Sequence, residues 1–306
     1  MENLHDIPRF KDSLGYLYVE HARVDRSEKS IAIHTVEGIT PAPAAALSLL
    51  MIGPGVSITH AAITTLADNN CPVVWCGEQG IRAYAFGLPG SRSSYGLLRQ
   101  AKLASDEHTR LEIVRRMYQM RFGGEQADGL TIEQLRGLEG VRVRSAYAKL
   151  SRETGVEWTG RAYDRTSWSA ADPVNRALSC ANACLYGICY AAILACGYSP
   201  AIGFIHTGRH ASFVFDVADL YKVDIAVPVA FEVARDLPPN IEREVRLRCR
   251  EYFASHKLLR RIIPDIQKLL DLGDSSPNED YIEFDEPDYG SDLWSPSATQ
   301  GGEEAA

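Results

Sequence analysis

The sequence predicts an α+β chain in which a small N-terminal β-domain precedes a larger all-α domain. Three observations carry that expectation. Residues 14 to 86 break into short apolar runs separated by Gly, Pro and charged turns, the pattern of strands. Beyond residue 92 apolar residues recur at helical spacing almost without interruption. From residue 274 onward the chain is rich in Asp, Glu, Ser, Pro and Gly and has too little apolar surface to fold. The expected organisation is therefore a β-domain over 1–90, a helical domain over 91–273 and an acidic, disordered tail over 274–306.

The strand candidates are LGYLYV, SIAIHTV, AALSLLMIG, PVVWCG and GIRAYAFG. One helix interrupts them, HAAITTLADNN, with Thr59 placed to cap it because its hydroxyl accepts an orphan backbone N–H of the first turn. At Gly87-Leu88-Pro89-Gly90 the chemistry changes from strand to helix, which sets the domain boundary. Helices follow at SYGLLRQAKLA, RLEIVRRMYQMRF, TIEQLRGLEGVRVRSAYAKL, PVAFEVAR and EREVRLRCREYF. The run ALSCANACLYGICYAAILACGY is nearly long enough to cross a bilayer, but Asn182 interrupts it and no second span matches it. It reads as a buried helix in which Cys180, Cys184 and Cys189 fill space as alanine does, so no membrane is expected. No internal repeat is present.

The chain has 306 residues, 45% of them hydrophobic, enough for two ordinary domains. With seven cysteines and no apolar leader ahead of them, a reducing cytoplasm is the expected compartment. The net charge of −8 argues at first against a polyanionic partner. Of the 40 acids, however, ten lie in 274–306, where there is no Lys or Arg, so residues 1–273 carry 32 basic groups against 30 acidic ones. Residues 92–152 hold twelve Lys or Arg against seven acids, and 242–268 hold eight against four. Two basic helical stretches thus coexist with an acidic tail.

Candidate chemistry lies first in GFIHTGRHASFVFDVADLYK, Gly203 to Lys222. His206 sits in a Gly-flanked turn, and Asp216 and Asp219 stand three apart at the expected start of a helix, which puts both carboxylates on one face. They either hold a cation or cap and decorate that helix. His206 and His210 form an H-x-x-x-H pair, but Thr207 and Gly208 supply neither the glutamate nor the helix of a zinc protease. Glu139 is surrounded by Arg136, Arg142 and Arg144. Those arginines either pair with it on a surface helix or neutralise phosphates beside a metal-bound carboxylate. Were Glu139, His206 and Asp219 to meet, two hard oxygens and one imidazole would suit Mg²⁺ or Mn²⁺. Arg243, Arg246 and Arg250 form a stripe that either tracks a nucleic-acid backbone or is a solvated face, and Tyr163, Trp168 and Tyr186 either stack on bases or pack in a core. No phosphate loop and no C-x-x-C zinc spacing occur.

Together these segments resemble the CRISPR spacer-acquisition integrases, the first-numbered proteins of the Cas series, in their type I-E branch. The stretches that carry the resemblance are THAAITTLA, WCGEQGIRAYAFG, QAKLASDEHTRLEIVRRMYQMRFG, EQLRGLEGVRVR, NRALSCANACLYGICYAAILACGYSPAIGFIHTG, SFVFDVADLYK and PVAFEVAR, over most of 55–253. The resemblance implies a β-domain followed by a helical catalytic domain, with metal ligands Glu139, His206 and Asp219 and a further functional acid at Asp216. It also implies that Arg82, Arg136, Tyr163, Trp168, Tyr186, Arg209, Lys222 and Arg246 lie around the active site or DNA, and Arg243 belongs with them through the stripe. Two departures stand out: Ser57 replaces a residue that is often basic in relatives, and Arg209 replaces a common Lys, which keeps the charge but changes its geometry.

The activity so implied is insertion of foreign DNA as new spacers, by attack of a fragment's 3′-hydroxyl on a phosphodiester at the edge of a CRISPR repeat. The expected substrates are double-stranded fragments with free 3′ ends and leader–repeat DNA. The implied assembly is a homodimer bridged to another by a small ferredoxin-like partner. Two other readings remain open: a DNA-repair, structure-selective endonuclease, and a non-catalytic DNA-binding scaffold.

Overall fold

A computed structural model describes residues 15–69, 71–77, 83–87, 95–122, 130–161 and 172–271. Compactness divides the chain after Leu270, and every element below belongs to Met1–Leu270. The architecture is α+β: all eight described strands lie within residues 16–87, interrupted by a 3-10 turn at Ala44–Ala46 and one α-helix, and the described elements beyond them are helices. The domain boundary placed at 90, and the tail over 274–306, lie outside the described residues.

The strands make two four-stranded sheets. In the first, β1 (Tyr16–Val19), β5 (Leu49–Ile52) and β7 (Val73–Cys76) run parallel, and β8 (Ala83–Gly87) closes the edge antiparallel to β7. In the second, β2 (Arg23–Ser27), β3 (Ser30–Thr35) and β4 (Gly38–Ala42) form a meander, with β6 (Ser57–Ile58) parallel to β2. Val24, Ile31, Ile33, Leu50, Ile52 and Val73 from both sheets share one core with Ala62 and Leu66 of helix α1 (His60–Asp68). Thr59 caps that helix as expected, accepting the Ala62 N–H at 3.2 Å. Strands β2, β4 and β6 were not expected. β2 buries only Val24 among charged residues, and β4 carries Pro41, which an edge strand tolerates because it need not donate on its open side. Neither shows the apolar alternation that announces a strand.

The helices follow as α2 (Tyr95–Ser105), α3 (Glu107–Phe122), α4 (Ile132–Thr154), α5 (Pro173–Ala195), α6 (Ser212–Ala218), α7 (Ala226–Asp236), α8 (Ile241–Ser255) and α9 (Leu258–Leu270). α4 begins with a complete capping box between Thr131 and Gln134 and ends on Gly155 at φ 72°. The basic stretch 242–268 is two helices rather than one, because Lys257 takes a left-handed conformation between α8 and α9.

α5 is the axis of the helical region. Asp172 caps it, Pro173 starts it, and nearly all of it is buried. It is the one helix among the described residues long and apolar enough to cross a membrane, and the protein itself covers most of that apolar stretch. The seven cysteines are free, and Cys180, Cys184 and Cys189 are core, as their setting among small residues implied. Where α5 crosses β5, a Cβ on Gly187 would lie 2.8 Å from Leu49 Cδ2. Gly187→Leu should therefore destabilise the protein by about 1–3 kcal/mol through overpacking. A urea-unfolding midpoint equal to wild type would show that the crossing has slack.

Candidate metal and phosphate site

The segment 199–206 leaves α5 with no regular structure of its own, and its neighbours dictate its path. Gln100 of α2, fully buried, accepts the Ser199 N–H at 2.7 Å and donates to the carbonyls of Ser199 (3.0 Å) and Ile202 (2.7 Å). Arg110 of α3 donates to the Phe204 carbonyl at 3.0 Å. Gly203 has to be glycine, since a Cβ there would lie 2.1 Å from the His206 carbonyl oxygen. Neither Gln100 nor Arg110 was singled out from the sequence. A side chain that serves another segment's backbone leaves no trace in spacing.

Asp216 organises the end of that segment. It is 0% exposed, and its two oxygens accept the backbone N–H groups of Phe204 (2.6 Å), Ile205 (3.1 Å) and His206 (2.9 Å). His206 Nδ1 lies 2.7 Å from Asp216 Oδ1. A carboxylate that already accepts from three backbone donors presents an acceptor to the ring, so Nδ1 carries the hydrogen, and in the neutral ring the lone pair is the one on Nε2. This is the arrangement in which a carboxylate orients a metal-binding imidazole. The placement corrects one expectation. Asp216 and Asp219 stand at the C-terminal end of α6, not its start, and they differ in exposure: Asp216 is buried, whereas Asp219 is 23% exposed. Asp216 therefore positions His206 and does not itself reach a substrate.

Asp219 and Glu139 meet at an arginine. Arg121 of α3, only 3% exposed, brings Nη1 to 4.0 Å from Glu139 Oε1 and Nη2 to 3.7 Å from Asp219 Oδ2. It also donates to the Asp216 carbonyl oxygen at 3.3 Å, one turn before Asp219. Arg142 lies 3.7 Å from the other oxygen of Glu139 and 3.8 Å from Asp224. Lys222 lies 3.6 Å from Asp219 and is hydrogen-bonded to Tyr186, whose ring meets Phe215 edge-on at 5.1 Å. Burial pulls the Lys222 pKa down, but Tyr186, Asp219 and Tyr147 outweigh it and hold the ammonium above its ordinary value. Burial raises the pKa of the Tyr147 phenol beside it, so that phenol stays neutral at neutral pH.

The donor set fits a hard divalent cation in its chemistry. Glu139 Oε2 is buried without a hydrogen-bond partner, Asp219 is partly open, and His206 is 40% exposed with Nδ1 held by Asp216 and Nε2 left free. Among the described residues, however, no three such side chains stand gathered as a ready metal cluster. Arg121 is the side chain that the two carboxylates share instead.

Of the remaining candidates, Arg136 is exposed on α4 and bonded to Tyr118. Arg209 is exposed beyond the turn at Gly208, and Arg243 is exposed on α8. The arginine stripe is turned largely onto the β-region: Arg246 stacks 4.2 Å from the centre of the Tyr18 ring, and Arg250 donates to the Tyr16 carbonyl at 3.2 Å. Packing of that kind contributes about 0.5–2 kcal/mol per stacked pair. Arg82, Tyr163 and Trp168 lie outside the described residues. Ser57 is exposed on β6.

Comparison with known proteins adds an independent line. The family model "CRISPR associated protein Cas1" matches residues 16–127 and 124–237. The "CRISPR-associated endonuclease Cas1 2" of Thermus thermophilus is 50% identical over 292 residues, covering 95% of this chain and 90% of its own length. The "CRISPR-associated endonuclease Cas1" of Geobacter sulfurreducens is 49% identical over 271 residues, 88% of each chain. Among solved structures, that of a TtCas1–DNA complex superposes with a TM-score of 0.79 at 50% identity, over 86% of this chain and 94% of that one.

Proposed function

Since the chain belongs to the family of CRISPR-associated Cas1 proteins, we propose that it is a divalent-metal-dependent DNA integrase and endonuclease that inserts foreign fragments as new spacers into a CRISPR array. The observation that carries this reading is the meeting of Glu139 and Asp219 at one place, flanked by Arg142 and Lys222. Opposed charges so arranged suit a cation and a phosphate at once.

Glu139, Asp219 and His206 Nε2 would hold Mg²⁺ or Mn²⁺, which when bound polarises a phosphodiester and eases deprotonation of an attacking hydroxyl. The chain's own side chains account for the rest. Asp216 keeps the proton on His206 Nδ1, so His206 acts as a ligand and not as a nucleophile. Arg142 and Lys222 supply positive charge to the phosphate, and Tyr186 holds Lys222 towards the site. One phosphodiester replaces another, so no nucleotide hydrolysis is needed and alignment with charge neutralisation supplies the catalysis. With water in place of the 3′-hydroxyl, the same side chains would serve cleavage.

The substrates we propose are double-stranded fragments with free 3′ ends and leader–repeat DNA; the TtCas1 relative was solved as a DNA complex. Joining two ends to opposite strands requires two sites at fixed separation, which a homodimer bridged by a small ferredoxin-like partner would provide. The type I-E branch is proposed on the sequence stretches quoted above, and the cytoplasm on seven free cysteines.

The test uses the full-length chain with its partner protein, a labelled fragment ending in either a 3′-hydroxyl or a 3′-hydrogen, and a repeat-containing target. Covalently joined product is expected only with the hydroxyl and only with Mg²⁺ or Mn²⁺. Cleavage without joining would move the assignment to a repair endonuclease. DNA binding unaffected by chelator, with no turnover, would reduce it to a scaffold.

A further inference from the structure

Arg121 sits where the proposed cation would act, yet nothing so far gives it a role. Its guanidinium lies 5.3 Å from the centre of the Tyr118 ring and approaches both carboxylates at 3.7 and 4.0 Å, beyond hydrogen-bond distance. Its Nε is buried without a partner, and so are Glu139 Oε2 and Arg142 Nη1. Buried polar atoms are normally satisfied, and three unsatisfied ones around one carboxylate indicate an arrangement kept for something other than stability. The charges also balance locally. Glu139 and Asp219, with Asp224 beside Arg142, face three cations, Arg121, Arg142 and Lys222. The pair is therefore already neutralised before any metal arrives.

We propose that Arg121 is the resident countercharge of the Glu139–Asp219 pair: it holds the two carboxylates together when no divalent cation is bound and, by doing so, weakens cation binding in the absence of DNA. This rests on the reading that the site takes a divalent cation. Without Arg121, two carboxylates left close together in a partly buried site would repel each other. A cation would then restore what the arginine had provided. With Arg121 present, added negative charge from DNA phosphates favours cation entry, and by reciprocity the cation favours DNA.

The experiment uses the full chain and Mn²⁺ alone as probe, read by the electron paramagnetic signal of free Mn²⁺ and by thermal unfolding. Arg121→Gln is expected to lower the unfolding temperature without metal by about 5 °C or more. Mn²⁺ should recover at least half of that loss, and its Kd should tighten about tenfold relative to wild type. Arg121→Lys should behave as wild type in both measurements. The double change Arg121→Gln with Glu139→Gln removes the repulsion together with the arginine, so it should recover metal-free stability. A merely structural arginine would give a stability loss that neither Mn²⁺ nor the double change repairs, and that result overturns the proposal. So does failure of both the single and the double variant to fold. If wild type binds no Mn²⁺ with or without DNA, the metal reading fails, while the double-variant comparison still decides the countercharge role.

Discussion

Glu139→Gln should lower the rate of DNA strand joining by about a thousandfold, roughly 4 kcal/mol of transition-state stabilisation, while the protein remains folded. Both halves of that expectation come from the contacts. Glu139 is 17% exposed, its Oε2 has no hydrogen-bond partner, and its two arginine neighbours stand 3.7 and 4.0 Å away. Little of the fold therefore depends on its charge. Arg121 keeps Asp219 and Arg142 keeps Asp224 when Glu139 is neutralised, so the unfolding free energy should change by no more than about 1 kcal/mol. The same loss of joining is expected for Asp219→Asn and His206→Ala. Joining and unfolding should be measured on the same preparations. Near-normal joining by any of the three, with a normal unfolding curve, removes that side chain from the ligand set.

Asp216 should show the opposite balance. Asp216→Ala strips acceptors from three backbone N–H groups and from the His206 ring by removing a carboxylate that is itself fully buried. Each buried donor left unpaired costs about 1–3 kcal/mol, so a loss of about 4 kcal/mol, or roughly 10 °C in unfolding temperature, is expected. Asp216→Asn separates folding from positioning. Its carboxamide keeps the shape and one acceptor oxygen, but its NH₂ cannot accept, so either the Phe204 and Ile205 N–H groups or the His206 N–H and Nδ1 lose their partner. The fold should survive and strand joining should fall by about 10–100-fold, the usual cost of disturbing the group that orients a ligand imidazole. Wild-type joining by Asp216→Asn would show that His206 is held without it.

How far the sequence could be read depended on the range of the interaction concerned. Local signals translated directly. Thr59 capped its helix, the small-residue run became the buried axis α5, and the turn of GFIHTG carried His206 between Gly203 and Gly208. Strands β2 and β4 were invisible because a strand that buries one side chain, or that runs along an edge with a proline, lacks the alternation that reveals a two-faced element. Spacing likewise put Asp216 and Asp219 at the start of a helix. They close α6 instead, and which of the two is buried was set by the 204–206 backbone packed against Asp216.

The succession of a strand-rich region and a helical one, the family to which the motifs belong and the types of donor offered to a cation were all determined by the amino-acid sequence, because each depends on neighbours within a few residues or on the match of whole segments. Only the tertiary structure decided that Gln100 and Arg110 carry the backbone of 199–204, that Asp216 serves His206 from within, and that Arg246 packs on Tyr18. The same is true of Arg121 lying against Glu139 and Asp219, residues up to about a hundred positions away along the chain. The physical reason is the same in each case. A long side chain acts where its polar end arrives, and that end point is set by how the elements pack, which no periodicity along the chain records.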